Sequence, residues 1–305
     1  MTTASMLVGL ERRLRGVAGD VRRDAPLARH VAFRIGGPGD LLVIPRSVEE
    51  LRGAMRLLWG DGITTVIVGA GSNVLVGDRG IRGVVVKIGK GLDHVGIDGE
   101  RVTAEAGVGL PALALRTARI GLAGLEFAAG IPASVGGAVV MNAGAHGHAM
   151  EDVIETVDVI TPEGDRRLDR AAMGFAYRSS VLQQQRSVVT SAVMRLRAAE
   201  PTAIVDRLTA WLAHRGATQP IGPPSSGCVF RNPPGDHAGR LIDLSGGKGL
   251  AVGGARVSEI HANYIVNEGG ATASDVLALA EQVKARVQDR TGISLDLEVK
   301  LLGDF

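Results

Sequence analysis

Short glycine-rich loops between apolar runs are the feature that most constrains the fold of this chain. The sequence has 43 glycines in 305 residues, about twice the roughly 7% that is typical of globular proteins. These glycines cluster after apolar runs, as in Gly69-Ala70-Gly71-Ser72-Asn73 and in residues 130–137. Glycine is favoured where φ is positive or where the backbone approaches another group closely. The pattern therefore predicts tight loops whose main-chain groups contact each other or a ligand.

Hydrophobic patterns in the first 125 residues predict both strands and helices. Strands are predicted at 41–45, 63–68, 84–88 and 102–106. Ser47 and Glu50 form a capping-box pattern before a helix that carries Leu51, Met55 and Leu58 on one face. A second helix is predicted from Pro111 to Gly121.

The remaining sequence predicts a second sheet and then a helical segment. A hairpin is expected over 153–161 with its turn at 162–165, followed by a strand over 188–197. After Pro201, Thr202 is predicted to cap a helix whose apolar stripe is Ile204, Val205, Leu208 and Leu212. A last helix is predicted over 274–290. These elements predict an α+β fold divided at 1–88, 89–199 and 200–305.

Composition excludes several classes of partner. The 34 basic and 32 acidic residues nearly cancel, and a nucleic-acid surface requires clustered cations. Residues 127–150 hold no Asp, Glu, Lys or Arg. They are too rich in Gly and Ala, and interrupted by Pro132, to favour membrane insertion. The first residues have no signal-peptide pattern and a single cysteine cannot form an internal disulfide, so a cytoplasmic protein is expected.

The glycine loops match neither of the two common phosphate-binding motifs. Val74 stands where the dinucleotide fingerprint requires its third glycine. The run 246–249 has Gly249 where a phosphate loop requires Ser or Thr, and Ile242 where that motif has its first glycine. Residues 69–73 and 130–137 can still present successive main-chain N–H groups to a pyrophosphate. The structural alternative is that both are tight turns around a sheet.

A few side chains could carry chemistry. Cys228 lies between Gly227 and Arg231, where a thiol can serve as a proton donor or nucleophile, although a lone cysteine is more often a small buried hydrophobe. Arg178 could bind a carboxylate bidentately, or it could be a structural surface residue. Taken alone, Glu298 reads as the solvated face of a strand. The pair His146 and His148 lacks a third ligand and is a weak metal signal, so no metal is predicted.

Taken in order, these motifs resemble the UDP-N-acetylenolpyruvoylglucosamine reductase (MurB) family over residues 29–302. The matching segments are 33–38, 69–75, 130–137, 141–144, 177–180, 227–233, 238–242, 261–263 and 297–299. The short spacing between Tyr177 and Val193 is similar to the second type of the family, which lacks an inserted tyrosine loop.

The resemblance implies a two-subdomain FAD-binding region of the vanillyl-alcohol oxidase type and a C-terminal α+β substrate-binding domain. It implies tightly bound FAD, NADPH as co-substrate, a UDP-sugar substrate, a role in peptidoglycan synthesis and a monomer. The segments that it assigns to FAD contain Phe33, Arg34, Ile35, Gly36, Gly37, Val68, Gly69, Ala70, Gly71, Ser72, Asn73, Gly130, Ile131, Pro132, Ser134, Val135, Gly136, Gly137, Asn142, Ala143 and Gly144.

The resemblance also implies the catalytic roles. Hydride would pass through the flavin to C3 of the enolpyruvyl ether, Cys228 would protonate C2, and Arg178 and Glu298 would stabilise the enolate-like charge. Tyr177, Arg178, Arg231 and Asn232 would bind substrate. The sequence departs from many relatives at Cys228, where Ser is frequent, and at Arg231, where Lys is common.

Two other functions remain open at this point. One is another flavin oxidoreductase of the same superfamily that uses oxygen. The other is a non-catalytic nucleotide-binding module that keeps the glycine loops.

Overall fold

The computed structural model describes residues 3–305, with side chains from Met6 onward. It divides into two compact units. Unit 1 comprises Met1–Arg23, Leu41–Ala70 and Gly83–Arg215, and unit 2 comprises Asp24–Asp40, Gly71–Arg82 and Gly216–Phe305. The division at 1–88, 89–199 and 200–305 stays a prediction.

The described chain contains both α-helices and β-strands. The helices are α1 Thr3–Arg15, α2 Val48–Gly60, α3 Leu110–Arg119, α4 Val135–Val140, α5 Pro201–Thr218, α6 Ala238–Leu244 and α7 Ala273–Thr291. The strands are β1 Asp20–Pro26, β2 Pro38–Ile44, β3 Thr65–Val68, β4 Val74–Val76, β5 Ile81–Lys87, β6 Val95–Asp98, β7 Arg101–Glu105, β8 Leu122–Ala123, β9 Gly144–Ala145, β10 His148–Ala149, β11 Ile154–Thr161, β12 Gly164–Asp169, β13 Val188–Arg195, β14 Arg197–Ala198, β15 Ser225–Cys228, β16 Ala251–Val252, β17 Ala255–Val257, β18 Tyr264–Asn267 and β19 Lys300–Leu302.

The N-terminus of α2 forms as its sequence predicts. Ser47 Oγ accepts from the Glu50 N–H at 3.2 Å. The Glu50 carboxylate turns back to accept from the N–H groups of Arg46 at 2.8 Å and Gly19 at 2.9 Å. Leu51, Met55 and Leu58 of the helix are buried in the core of unit 1, which confirms the predicted face.

Most residues of two sheets belong to unit 1. The first has the order β1-β2-β5-β3, with β3 parallel to β5. The second has the order β12-β11-β13-β7-β6 and is antiparallel throughout. The predicted hairpin is confirmed, since β11 pairs with β12 up to Thr161 opposite Gly164.

Unit 2 has its own sheet and core. Strands β15, β18, β17 and β16 pair antiparallel in that order. Helix α7 begins at Thr272, whose hydroxyl accepts from the Asp275 N–H at 3.0 Å, and ends before Gly292. The predicted stripe is buried at Val276, Leu279, Val283 and Val287. It packs in a cluster with residues of α6 and β17.

The predictions for α5 were wrong in two details. The helix begins at Pro201, so Thr202 lies inside it and does not cap it. Leu212 is 41% exposed, whereas Ile204 and Leu208 are buried. Trp211, three residues after Leu208, packs against the core in place of Leu212. Among the described residues, no helix combines the length and apolar character that a bilayer crossing requires.

Candidate active site

A tight turn in unit 1 presents Arg178. The N–H of Ala176 donates to the Ser179 carbonyl at 3.1 Å and the reverse bond is 3.0 Å. Arg178 at the tip has φ +54, a left-handed conformation that costs a non-glycine residue energy unless its surroundings hold it. Its Nη2 donates to the Gly144 carbonyl at 2.8 Å, and its own carbonyl accepts from Gln183 Nε2 at 3.0 Å. The turn therefore fixes both the backbone and the guanidinium of Arg178.

Asn142 joins this turn to the segment predicted to contact FAD. Its side chain is 2% exposed and its φ is +42. The Nδ2 group donates to Glu151 Oε1 at 2.9 Å and to the Ala176 carbonyl at 3.0 Å, while Oδ1 accepts from the Glu151 N–H at 3.0 Å. The Asn142 side chain is thus buried, and its hydrogen bonds link two segments of the chain.

Gly69 approaches the start of α4 closely within unit 1. A Cβ at Gly69 would lie 2.4 Å from Ser134 Oγ and 3.9 Å from the Gly137 nitrogen. Ser134 is 5% exposed, and its hydroxyl has no hydrogen-bond partner within the described chain. A buried hydroxyl without a partner costs free energy. A polar group supplied by a ligand would satisfy this hydroxyl.

Main-chain N–H groups border the same loops. The Val135 and Gly136 N–H groups donate to the carbonyls of Val108 and Ala106, each at 2.9 Å. The N–H groups of Gly137 and of residues 69–73 donate to no acceptor within residues 3–305. Because phosphate oxygens accept such donors well, the Gly69, Ala70 and Gly137 N–H groups and the Ser134 hydroxyl of unit 1 are candidate donors to an anion.

Lys87 is a residue of this region that the sequence analysis missed. Its Nζ donates to the Gly69 carbonyl. Burial lowers the pKa of this lysine, because desolvation disfavours the charged ammonium. No local motif marks Lys87, and its parallel pairing with Val68 at the ends of β5 and β3 is what brings it to the loop.

In unit 2, Cys228 and Glu298 lie on adjacent backbone segments. The Glu298 N–H donates to the Val229 carbonyl at 2.8 Å, and the Arg231 N–H donates to the Asp296 carbonyl at 2.9 Å. Phe230 and Leu297 form an antiparallel bridge between these bonds. Cys228 and Glu298 are both half-buried, so each is partly accessible.

Asn263 holds the segment that follows Cys228. It is 2% exposed. Its Oδ1 accepts from the Phe230 N–H at 2.9 Å and its Nδ2 donates to the Phe230 carbonyl at 2.8 Å. The Val229 N–H donates to the Asn263 carbonyl at 2.8 Å. Asn263 lies in segment 261–263 of the family resemblance, but its sequence neighbours indicate no role for it, since only the structure shows this two-sided contact.

The two predicted substrate-binding residues of this segment differ in their surroundings. Asn232 is exposed, and its Oδ1 accepts from the Ala238 N–H at 3.0 Å at the start of α6. It therefore has a capping role in the described structure. Arg231 is half-buried, and its N–H takes part in the backbone pairing with Asp296 described above. In unit 1, the predicted substrate residue Tyr177 is 54% exposed, with the Arg178 guanidinium carbon 5.4 Å from its ring centroid.

The segment 33–37 is largely structural in unit 2. Phe33 and Ile35 are buried in the core, so their side chains pack within the protein. A Cβ at Gly37 would lie 2.3 Å from the Asp78 carbonyl oxygen, which explains why this position is glycine. Arg34, with φ +56, is the exposed member of the segment and the side chain available to a ligand.

Two further features lie outside the predicted site. A cavity of about 870 Å³ in unit 1 is lined by residues that include Phe127, Trp211 and Arg207, and by none of the predicted cofactor or catalytic residues. His146 stacks on Trp211 with ring centroids 4.7 Å apart. Residues 3–305 contain no group of three or more side chains placed to hold a metal ion.

Comparisons with known proteins identify both parts of the chain. Residues 219–302 match the family described as UDP-N-acetylenolpyruvoylglucosamine reductase, C-terminal domain. Residues 39–168 match the FAD binding domain family.

Similarity to whole proteins extends over nearly all of the chain. It is 49% identical over 292 residues to the UDP-N-acetylenolpyruvoylglucosamine reductase of Heliobacterium modesticaldum, covering 95% of this chain and 93% of the relative. It is 44% identical over 287 residues to that of Bacillus subtilis, covering 93% and 95%. The crystal structure of UDP-N-acetylenolpyruvylglucosamine reductase from Thermus caldophilus aligns with a TM-score of 0.81 at 37% identity, covering 93% of this chain and 99% of that one.

The matches and the mixed helices and strands confirm the predicted α+β fold class, with an FAD binding domain followed by the C-terminal domain of the family. Among the predicted catalytic residues, Cys228 and Glu298 belong to unit 2 and Arg178 belongs to unit 1.

Proposed function

Because this chain belongs to the UDP-N-acetylenolpyruvoylglucosamine reductase family, we propose that it reduces UDP-N-acetylenolpyruvoylglucosamine to UDP-N-acetylmuramate with NADPH as the donor. It is a flavoprotein oxidoreductase of peptidoglycan synthesis with an FAD-binding domain. FAD, when bound, would take hydride from NADPH and deliver it to C3 of the enolpyruvyl ether.

The residues of the chain would hold the cofactor and handle charge and protons. The N–H groups of Gly69, Ala70 and Gly137 and the Ser134 hydroxyl, all in unit 1, would bind the phosphate groups of FAD. Their lack of acceptors within the described chain supports this role. Arg34 would be the charged side chain of segment 33–37 that faces a ligand, since Phe33 and Ile35 are buried.

Adding hydride at C3 drives negative charge through C2 into the substrate carboxylate. The Arg178 guanidinium would stabilise that charge, because a fixed cation needs no reorganisation as charge develops. Its hydrogen bond to the Gly144 carbonyl and its left-handed turn support a fixed orientation. Glu298 would contribute a hydrogen bond to the same developing charge, and Arg231 and Tyr177 would contact the nucleotide sugar.

Cys228 would donate a proton to C2. A thiol is far more acidic than a serine hydroxyl, so protonation of an enolate-like carbon is chemically reasonable. The observation that carries the proposal is the pairing of the segment after Cys228 with the segment of Glu298, through the 2.8 Å bond from the Glu298 N–H to the Val229 carbonyl. It supports the proposal because the segments of Cys228 and Glu298 pair along their backbones.

The proposal is tested with the purified protein under anaerobic conditions. We expect a yellow protein whose flavin absorbance bleaches with NADPH and returns on addition of UDP-N-acetylenolpyruvoylglucosamine, with a product two mass units heavier than the substrate, as addition of one hydride and one proton requires. Rapid reoxidation by oxygen with no response to the enolpyruvyl substrate would favour an oxidase. FAD binding without bleaching by NADPH would favour a non-catalytic binding module. A cytoplasmic location and a monomeric state stay predictions.

A further inference from the structure

Lys87 reaches the first residue of the predicted cofactor loop from the neighbouring strand. Lys87 is the last residue of β5 and pairs in parallel register with Val68, the last residue of β3. From there its Nζ donates to the carbonyl oxygen of Gly69. Lys87 is half-buried, and burial lowers the pKa of its ammonium group. Removing an ammonium from water costs free energy. The hydrogen bond to the Gly69 carbonyl offsets part of that cost.

The contact with Gly69 also fixes the next N–H group. The Gly69 carbonyl and the Ala70 N–H belong to one peptide unit, and the described chain has no cis peptide bond. In a trans peptide the C=O and N–H bonds point in opposite directions. When Lys87 holds the Gly69 oxygen, the Ala70 N–H is therefore directed to the other side of the loop. That N–H donates to no acceptor within residues 3–305, and Ala70 is exposed.

Gly69 also approaches the start of α4 closely. The position that a Cβ would occupy lies 2.4 Å from Ser134 Oγ, and this hydroxyl is buried without a partner. The peptide after Gly69 is thus held by an ammonium at its oxygen, and its α carbon lies where only a glycine fits. A peptide held in this way pre-organises an N–H donor, and pre-organisation reduces the ordering cost of binding.

We propose that Lys87 is a positioning residue for the phosphate groups of the cofactor: it orients the Ala70 N–H toward them and adds a half-buried positive charge at the start of the loop. The inference rests on the proposed function, because the anion is taken to be part of FAD. Lys87 acts through the Gly69 peptide, and the chemistry of hydride transfer does not require it.

The test compares FAD with riboflavin, which lacks the phosphate groups, by fluorescence titration of the apoprotein. Lys87→Met keeps most of the side-chain volume and removes the charge and the donor. We expect its Kd for FAD to rise about ten- to a hundredfold, the effect of losing one charge-assisted hydrogen bond, and its Kd for riboflavin to stay unchanged. Lys90→Met, which alters an exposed lysine on the same connection, is the matched control and should bind both ligands as the wild type does.

The melting temperature of the apoprotein separates positioning from a purely structural role. Positioning predicts that Lys87→Met apoprotein melts at or above the wild-type temperature, because the cost of burying the ammonium is gone. Lys87→Arg restores a charged donor and should recover much of the FAD affinity. If Lys87→Met does not fold, Lys87→Gln supplies a neutral donor and should lose affinity for FAD more than for riboflavin.

The outcomes separate this inference from the proposed function. Equal weakening of FAD and riboflavin, or unchanged FAD affinity in Lys87→Met, would overturn the role of Lys87 and leave the proposed function intact. Wild-type apoprotein that bound no FAD would overturn both.

Discussion

The main-chain N–H of Glu298 donates to the carbonyl oxygen of Val229 at 2.8 Å. This bond joins two segments that are about seventy residues apart in sequence, and it places Glu298 beside the strand end that carries Cys228. The position of the carboxyl group relative to the thiol is thus set by backbone pairing. Substitutions of the Cys228 or Glu298 side chain can therefore test catalysis while this main-chain hydrogen bond is kept.

Replacing Cys228 should separate the two half-reactions. Cys228→Ala removes the proton donor, so we expect turnover to fall by about a hundredfold or more, as for loss of a general acid. Bleaching of the flavin by NADPH should keep its wild-type rate. Cys228→Ser should retain part of the activity, because the hydroxyl is the donor that the resemblance implies for many relatives. Anaerobic stopped-flow measurement of both steps decides the matter, and undiminished turnover in Cys228→Ala would refute the role of the thiol.

Asn263 should contribute to stability through its contact with Phe230. Asn263→Ala leaves the buried Phe230 N–H and carbonyl without their side-chain partners, so we expect a loss of about 3 kcal/mol in the free energy of unfolding. Asn263→Asp retains an acceptor for the N–H and lacks the donor for the carbonyl, which gives a second variant with one bond disrupted. Urea denaturation measures both. A change within about 0.5 kcal/mol for the alanine variant, typical of surface substitutions, would show that the contact is dispensable.

Elements with strong local signals were predictable from the sequence. Helix α2 has a capping serine, an acidic residue three positions later and an apolar face, and each of these acts within one or two turns. The hairpin of β11 and β12 follows from its turn residues. The wrong prediction for Leu212 has a longer-range cause. The apolar pattern of α5 did not distinguish Trp211 from Leu212, and the core of unit 1 contacts Trp211.

The candidate site was predictable only in part. The glycine loops and Cys228 stood out because their residue types are unusual at such positions. Lys87 and Asn263 did not, because their roles depend on partners distant in sequence, the carbonyl of Gly69 and the backbone of Phe230. The structural requirement for glycine at position 37 could not be predicted either, because it depends on the Asp78 carbonyl, which is distant in sequence.

The close approach of Gly69 to Ser134 predicts that substitutions at these two residues are coupled in their effect on stability. A methyl group at Gly69 would lie 2.4 Å from Ser134 Oγ, so Gly69→Ala should destabilise the apoprotein by about 1–3 kcal/mol through overpacking. Adding Ser134→Ala removes that oxygen and leaves the Ser134 Cβ at 3.6 Å, an ordinary contact. We therefore expect the double variant to regain stability relative to Gly69→Ala. Thermal unfolding of the single and double variants measures this coupling.

FAD affinity should not recover together with stability in that double variant. The added methyl group stays beside the loop, and the hydroxyl that would bind the cofactor is gone. If the double variant lost as much stability as the two single variants together, that result would contradict the close approach of Gly69 to Ser134. Restored FAD binding in the double variant would contradict the role of the Ser134 hydroxyl in binding the cofactor.

Glu50 should make stability depend on pH. Hydrogen bonds from the Gly19 N–H and the Arg46 N–H hold the pKa of Glu50 below its usual range. A carboxyl group with a lowered folded-state pKa stabilises the fold fully above its unfolded-state pKa. That contribution is lost as pH falls through the lowered value.

Glu50→Gln isolates this contribution. We expect the variant to be less stable than the wild type at pH 7 by about 1 kcal/mol, the size of a helix-cap contribution at a solvent-screened position. The difference should shrink below the usual pKa of glutamate and disappear below the lowered one, because the protonated wild-type side chain then resembles glutamine. Urea unfolding across pH 3–7 measures it, with Glu49→Gln as the control, since that carboxylate is exposed and lies 3.8 Å from Arg52. A difference that stays constant with pH would mean that the ionised Glu50 carboxylate does not hold the N-terminus of α2.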